Sequence, residues 1–318
     1  MNDTRCRIAS LSIWLVVAAT AFVGGCGSAP VARQYPATDE QYERLHKAAM
    51  LAFEKEKYPQ AASLYRQALE RAYIRDNLDE IADTQYNLAF CLMRLQSYEQ
   101  ALDLINRSKT GLDRAHRKYP VDLLLLEAAV LHRRGKLDRA WQVTDQILLA
   151  ATQKSSIIDS KTHYLRGLIA YDRSDPAQLG EEIAALGAPE QPSLRADLKA
   201  LQGYRFLAQS DWMAAIEAFD QAIVLRRETQ DYRGMVKLLA MTGAAFEKAG
   251  QPAESALRYF KDGRSAALQG ENANAKHWLS RAEQLAVKAG DEQMVQEVRD
   301  YLHRLQESQA ASGETSGQ

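Results

Sequence analysis

The sequence predicts an all-α protein in which about seven antiparallel helix pairs stack into a solenoid. Composition gives the class: 318 residues hold only 17 Gly and 8 Pro. Ala, Leu, Gln, Arg and Glu are abundant and lose little freedom in a helical turn. Apolar residues step by three and four, as on a helix with one buried face. One pattern of small and large residues also returns about every 39 residues, the mark of a repeat array.

The N-terminus reads as an address. Arg5 and Arg7 precede an apolar run from Ile8 to Val23, and small residues follow. Basic flank, apolar core and small residues describe a secretory signal peptide, predicted over 1–25. Val23-Gly24-Gly25-Cys26 resembles a bacterial lipobox, with Val and Gly where Leu and Ala or Ser are usual. That resemblance implies that Cys26 is lipidated and becomes the mature N-terminus. An uncleaved anchor helix is the alternative. Gly27 is not the Asp that often retains such proteins in the inner membrane, so the resemblance implies an outer membrane, facing the periplasm. Several acyl chains on one residue suffice for stable anchoring. Residues 26–38 include Pro30 and Pro36 among small residues and read as a flexible tether.

The helix pairs occupy 39–306. The first is Ala48-Ala49 through Tyr58-Pro59-Gln60-Ala61 to Tyr65 and Ala68-Leu69, with its turn near 53–58. The second runs Leu88-Ala89, Leu92, Tyr98, Ala101 and Ile105, and the third Glu127-Ala128, Leu131, Gly135 and Ala140. A degenerate fourth unit (160–190) holds Gly167, Ala170, Leu179 and Ile183, and Pro189 and Pro192 suggest a break or hinge. Gly203, Phe206, Ala215 and Phe219 mark the fifth, Gly243, Phe246, Ser255 and Tyr259 the sixth, and Leu279, Ala286, Gly290 and Val295 the last. No single hairpin can cover its own apolar face, so stacking is the physical reason for the period. Residues 307–318 carry no apolar residue beyond alanine and read as a disordered tail.

These residues resemble the tetratricopeptide repeat family: small residues at two helix crossings, an aromatic or Leu before the second helix, and an Ala within it. The resemblance covers roughly 40–306 and implies a right-handed superhelix. The family's common repeat is 34 residues, so a period near 40 implies longer helices or longer turns. The proline that usually ends the repeat is mostly missing, apart from Pro120.

Family positions imply that first helices line a concave peptide groove. The first unit offers His46, Lys47, Met50 and Phe53; the second Tyr86, Asn87, Phe90, Met93 and Arg94; the third Leu125, Leu126, His132 and Arg133. Aromatics, methionines and a few cations suit a peptide with apolar anchors and some acidic character. The second half is smaller-faced, with Ala200, Tyr204, Leu207, Ala240 and Ala244, and Lys237 and Lys248 beside them. The Lys/Asn/Arg set with which some members bind chaperone carboxylate tails is absent except for Asn87.

Chemistry is harder to find. The six histidines have no zinc-site spacing, and there is no Cys-x-x-Cys, phosphate-binding loop or nucleophile elbow. Cys91 reads as a small buried thiol. Acidic residues read as solvated helix surface, and Arg133-Arg134 and Arg226-Arg227 as helix-end cations. With 40 Lys+Arg against 41 Asp+Glu, no nucleic acid partner is expected. No cofactor, metal or catalysis is expected either. The functional expectation is an outer-membrane lipoprotein acting as a scaffold for envelope proteins or their peptide segments, as pilus pilotins do. The alternative is a periplasmic ligand-sensing or catalytic protein, with a pocket in the irregular stretch Asp172 to Pro192.

Overall fold

A computed structural model describes residues 39–150 and 157–314. The leader, Cys26 and the tether lie outside them. Among the described residues there are fourteen α-helices and no strand. They pair as α1 (Glu40–Glu54) with α2 (Tyr58–Ile74), α3 (Leu78–Arg94) with α4 (Tyr98–Arg114), and α5 (Val121–Arg133) with α6 (Leu137–Ala150). Next come α7 (Ile157–Asp172) with α8 (Pro176–Leu186), and α9 (Pro192–Ala208) with α10 (Trp212–Glu228). The last are α11 (Tyr232–Lys248) with α12 (Pro252–Leu268), and α13 (Asn272–Ala289) with α14 (Glu292–Glu314). Each helix packs on its neighbours in the chain, within and between pairs. The array is an all-α solenoid.

Longer helices, not longer turns, account for the period in α1–α4 and α9–α13, whereas α5 to α8 are shorter and the α4–α5 and α8–α9 connections longer. Helices α2, α3 and α4 have 17 residues each, as do α9 to α12. A three-residue turn separates them, so helices start at 58, 78 and 98, and again at 192, 212, 232, 252 and 272. The middle residue of such a turn is left-handed, as at Glu56 (φ 55°), Gln96 (φ 60°) and Gln230 (φ 58°). The next N–H reaches back to the preceding helix: Lys57 N donates to Ala52 O, and Asp231 N to Arg226 O, both at 2.8 Å. This pairing satisfies carbonyls that a helix end would leave bare. The following helix then starts on a cap. Asn77 Oδ1 accepts from Asp79 N at 3.1 Å, and Asp211 Oδ1 from Ala214 N at 3.1 Å. Elsewhere a proline stands in the first helical positions, as in α2, α8, α9 and α12, where its missing N–H costs nothing.

Small side chains let neighbouring helices approach. Ala61, Ala101, Ala140, Ala215 and Ser255 are all fully buried. Gly203 faces the Phe219 ring so closely that a methyl group there would overlap it. Cys91 is buried as expected, and burial pushes its thiol up to about 12.

The fourth pair is irregular where the sequence suggests. Helix α8 has 11 residues and ends at Gly187 (φ 60°), and α7 packs directly on α9 as well as on α8. Stacking therefore continues across the short helix. Not all acids are solvated, contrary to expectation. Glu182 is buried and accepts from Arg166 Nε at 2.7 Å, while His163 Nδ1 lies 2.7 Å from its other oxygen. The Arg166 guanidinium lies 3.7 Å from the Trp141 ring centre and also pairs with Asp145. Glu127, Asp197 and Asp262 are buried too. At the C-terminus α14 continues to Glu314, so the unstructured tail expected from 307 begins as helix. Extending an existing helix needs no new nucleus, and alanine and glutamine favour it.

Candidate interaction groove

Turn by turn, the first helices of successive pairs present one side to a common groove of about 550 Å³. Helix α3 gives Tyr86, Phe90, Met93 and Arg94, and α5 gives Asp122, Leu125, Leu126, Ala129, His132 and Arg133. From α7 come Ile158, Lys161, Tyr164, Leu165 and Leu168. Ser193 and Asp197 of α9, Lys237 of α11, and Arg226, Thr229 and Asp231 around the α10–α11 turn complete it. The spacing of three and four within each helix is that of one helical face.

Of the groove residues expected from the sequence, the structure gathers Tyr86, Phe90, Met93, Arg94, Leu125, Leu126, His132 and Arg133 around this space. It does not bring His46, Lys47, Met50, Phe53 or Asn87 there. His46 Nε2 lies 2.9 Å from Asp83 Oδ2, and its ring stacks on Tyr42 at 5.5 Å. Asn87 Nδ2 donates to Asp83 O at 3.0 Å. Phe53 meets Tyr58 and Phe90 edge-on at 5.5 and 5.2 Å, behind the groove wall. Lys47 and Met50 are exposed on α1. On α1, then, His46 and Phe53 are held by neighbours on α2 and α3.

Charge in the groove is only partly compensated. Arg226 Nη2 donates to Asp197 Oδ1 at 2.8 Å and to Tyr164 OH at 3.2 Å, and the guanidinium also pairs with Asp231. Burial alone would weaken that cation, but Tyr164, Asp197 and Asp231 hold its pKa above the usual arginine value. Burial raises Asp197 to about 6 against the pull of Arg226, and pushes the Tyr164 phenol up to about 12. His132 Nε2 lies 2.7 Å from Asp172 Oδ2. Arg94 lies over Phe90 and Tyr58, 5.2 and 5.9 Å from the ring centres. Burial lowers its pKa, with Arg133 and Arg233 adding to it, against the opposing pull of Tyr58 and Asp231. Lys237 opens to the groove yet is ringed by protein; this burial lowers its pKa, and Arg133 adds to the effect.

Lys161, Tyr164, Asp197, Arg226 and Asp231 were not foreseen as groove residues. The repeat step could have found Tyr164: from Tyr86 one step reaches Leu125, and a second reaches Tyr164. The sequence shows Arg226 only as a helix-end cation, because two of its three partners, Asp197 and Tyr164, are distant in sequence. The irregular stretch Asp172 to Pro192, suggested as a pocket, contributes no side chain to the groove. Among the described residues no three His, Cys, Asp or Glu side chains come together to hold a metal ion. No described helix is long and apolar enough to cross a membrane.

No protein-family model matches the sequence, and a search of curated proteins finds no relative. Solved structures do resemble it. A Rap protein complexed with competence and sporulation factor is 14% identical, with a TM-score of 0.53 over 84% of this chain and 86% of its own. A signal transduction ATPase with a tetratricopeptide repeat sensor, from Pyrococcus horikoshii, is 11% identical, with a TM-score of 0.51 over 81% of this chain and 44% of its own. A tetratricopeptide repeat protein from Parabacteroides merdae is 14% identical, with a TM-score of 0.48 over 82% and 98%. At these identities the likeness is one of fold. Helix pairing and turn chemistry, with the likeness to the Rap protein and to the Pyrococcus horikoshii repeat sensor, give the chain the tetratricopeptide-repeat fold.

Proposed function

We propose that this chain is a protein-interaction scaffold whose groove docks an extended segment of another protein. The observation that carries this is the shared groove itself, built by α3, α5, α7, α9 and α11 and lined by Phe90, Met93, Leu125 and Leu165 between charged groups. Apolar pockets with a few placed polar groups are what a peptide with apolar anchors needs. The Rap protein of like fold was solved in complex with competence and sporulation factor, which supports a docked peptide here. Photocrosslinking in cells tests the groove. A benzophenone side chain at Met93 or Leu125 should capture a partner that one at the exposed outer residue Val224 does not, and Tyr86→Ala or Phe90→Ala should abolish the adduct. Equal capture from Val224, or capture indifferent to both variants, would remove the groove from the mechanism.

We further propose that the scaffold is lipid-anchored through Cys26 at the outer membrane, facing the periplasm, and serves envelope assembly in a pilotin-like or similar accessory role. Support comes from Arg5, Arg7, the apolar run to Val23 and Gly24-Gly25-Cys26. Cys26→Ser should shift the protein from the membrane fraction to the soluble one. Retention of the variant in membranes argues instead for an uncleaved helix.

A further inference from the structure

One wall of the groove is made by helices that are far apart in the chain. Arg94 in the last turn of α3 and Asp231 in the turn before α11 both line the groove, and Asp231 attracts Arg94. Beside them the α1–α2 turn meets the start of α11. Arg233 Nε donates to Glu56 Oε2 at 2.9 Å, and its guanidinium lies 4.9 Å from the centre of the Tyr58 ring. Arg94 lies 5.9 Å from the same ring centre. On its own side, Arg233 Nη1 donates to Glu271 Oε1 at 2.6 Å, and Asn274 Nδ2 donates to Glu271 Oε2 at 3.0 Å. Arg233 is thus held by the start of α13 while it reaches across to the first helix pair.

Elsewhere the array is held by apolar contact. One buried cluster runs from Ala49 of α1 to Val130 of α5, and another from Leu168 of α7 to Leu239 of α11. Among the described residues, no buried apolar cluster has members on both sides of the line where Glu56 meets Arg233. What crosses that line is the ion pair, the contact of its cation with Tyr58, and the attraction between Arg94 and Asp231. Arg94 and Arg233 repel each other across it. The Arg233 and Glu56 side chains are 19% and 42% exposed, and an ion pair open to water contributes little and weakens in salt. Buried apolar surface has no such weakness. Local opening follows the least protected contacts, so the wall parts along this line before the stack parts between successive pairs.

We propose that this seam is a lateral gate of the groove, latched by Arg233 on Glu56, which parts to admit the middle of a polypeptide sideways. With the seam shut, a guest has to enter by an end, along the groove. A coil that opens at the seam also takes a segment with folded domains on both sides. This rests on the groove being where polypeptide docks, but the latch is tested without any guest.

Leu125→Cys in the full-length protein places a thiol in the groove, while the buried Cys91 stays unreactive; mass spectrometry reads modification at residue 125. Two probes share a flexible Gly-Ser peptide with a maleimide at its centre. One has blocked, unstructured ends, and the other carries a small folded domain at each end. Glu56→Gln, Arg233→Gln and high salt should each speed modification by the domain-capped probe about three- to fivefold, and by the open-ended probe much less. Asp138→Asn, which breaks the Asp138–Arg173 pair away from the seam, should change neither rate. Thermal melting shows that each variant is folded. A capped-probe rate indifferent to both latch variants and to salt overturns the gate, and so does a failure of that probe to reach residue 125 in Arg233→Gln. Neither result touches docking itself, whose failure shows instead as equal photocrosslinking from the groove and from Val224.

Discussion

Arg233 Nε lies 2.9 Å from Glu56 Oε2, joining the turn of the first helix pair to the start of α11 across 177 residues of sequence. The same guanidinium sits 4.9 Å from the Tyr58 ring centre and holds Glu271 at 2.6 Å. The first and sixth pairs are not neighbours in the stack, so the array curls far enough to touch itself. Part-exposed ion pairs of this kind contribute about 1 kcal/mol or less. Arg233→Ala should therefore leave the melting temperature nearly unchanged. It should enlarge the radius of gyration measured by X-ray scattering, and high salt should do the same to the wild type. A compact, salt-indifferent Arg233→Ala variant would show that apolar packing closes the coil.

Left-handed residues other than glycine hold many of the turns, Gln96 and Gln230 among them. A side chain there costs roughly 1–2 kcal/mol, part of which glycine gives back through its freer unfolded chain. Gln96→Gly and Gln230→Gly should each stabilise the fold by about 0.5–1 kcal/mol in urea titrations. Destabilisation by both would mean that the side chains make contacts worth more than the backbone strain.

Close helix approach predicts the opposite sign at Gly203. A methyl group there would overlap the fully buried Phe219 ring, and overpacking of this kind costs about 1–3 kcal/mol. Gly203→Ala should lower the denaturation midpoint by a corresponding amount. Its pairing with Phe219→Leu should recover part of the loss, a coupling that a double-mutant cycle measures.

Asp262 is fully buried, with no hydrogen-bond partner for either oxygen. Burial, with Glu271 adding to it, raises its pKa from the ordinary carboxylate value to about 7. The folded state thus binds a proton that the unfolded chain releases near pH 4. This contribution to stability is complete below pH 4, declines as pH rises, and is gone above about 7. Asp262→Asn should flatten the stability profile between those limits and make the protein more stable than the wild type at pH 8. An unchanged slope in denaturant titrations from pH 4 to 8 would assign it to other groups.

Much of the fold was legible because its causes are local. Small residues at 61, 101, 140, 215 and 255 mark the crossings, and each is buried. Pro189 and Pro192 mark the weak fourth unit in the sequence, and α8 is short. On α3 and α5, Tyr86, Phe90, Met93, Arg94, Leu125, Leu126, His132 and Arg133 share the cavity that the repeat register implies for them. The α1 residues lie outside that cavity, and periodicity cannot show that Asp83 and Tyr42 engage His46. Arg226 reads as no more than a helix-end cation beside Asp231, because its other partners, Asp197 and Tyr164, stand 29 and 62 residues away. Buried acids such as Asp262 carry no sequence mark, since a helix face is exposed or covered only once its neighbours arrive.

The three-residue turn has a consequence for how the chain can change length. From α9 to α13 the joint within a pair matches the joint between pairs, so no seam marks where one repeat ends. Excising 212–251 would bring Gln209-Ser210-Asp211 directly before Pro252, restoring a joint of the same size ahead of α12. Over this stretch a hairpin can be dropped or duplicated with the local joints kept, at the cost here of the Arg233–Glu56 contact.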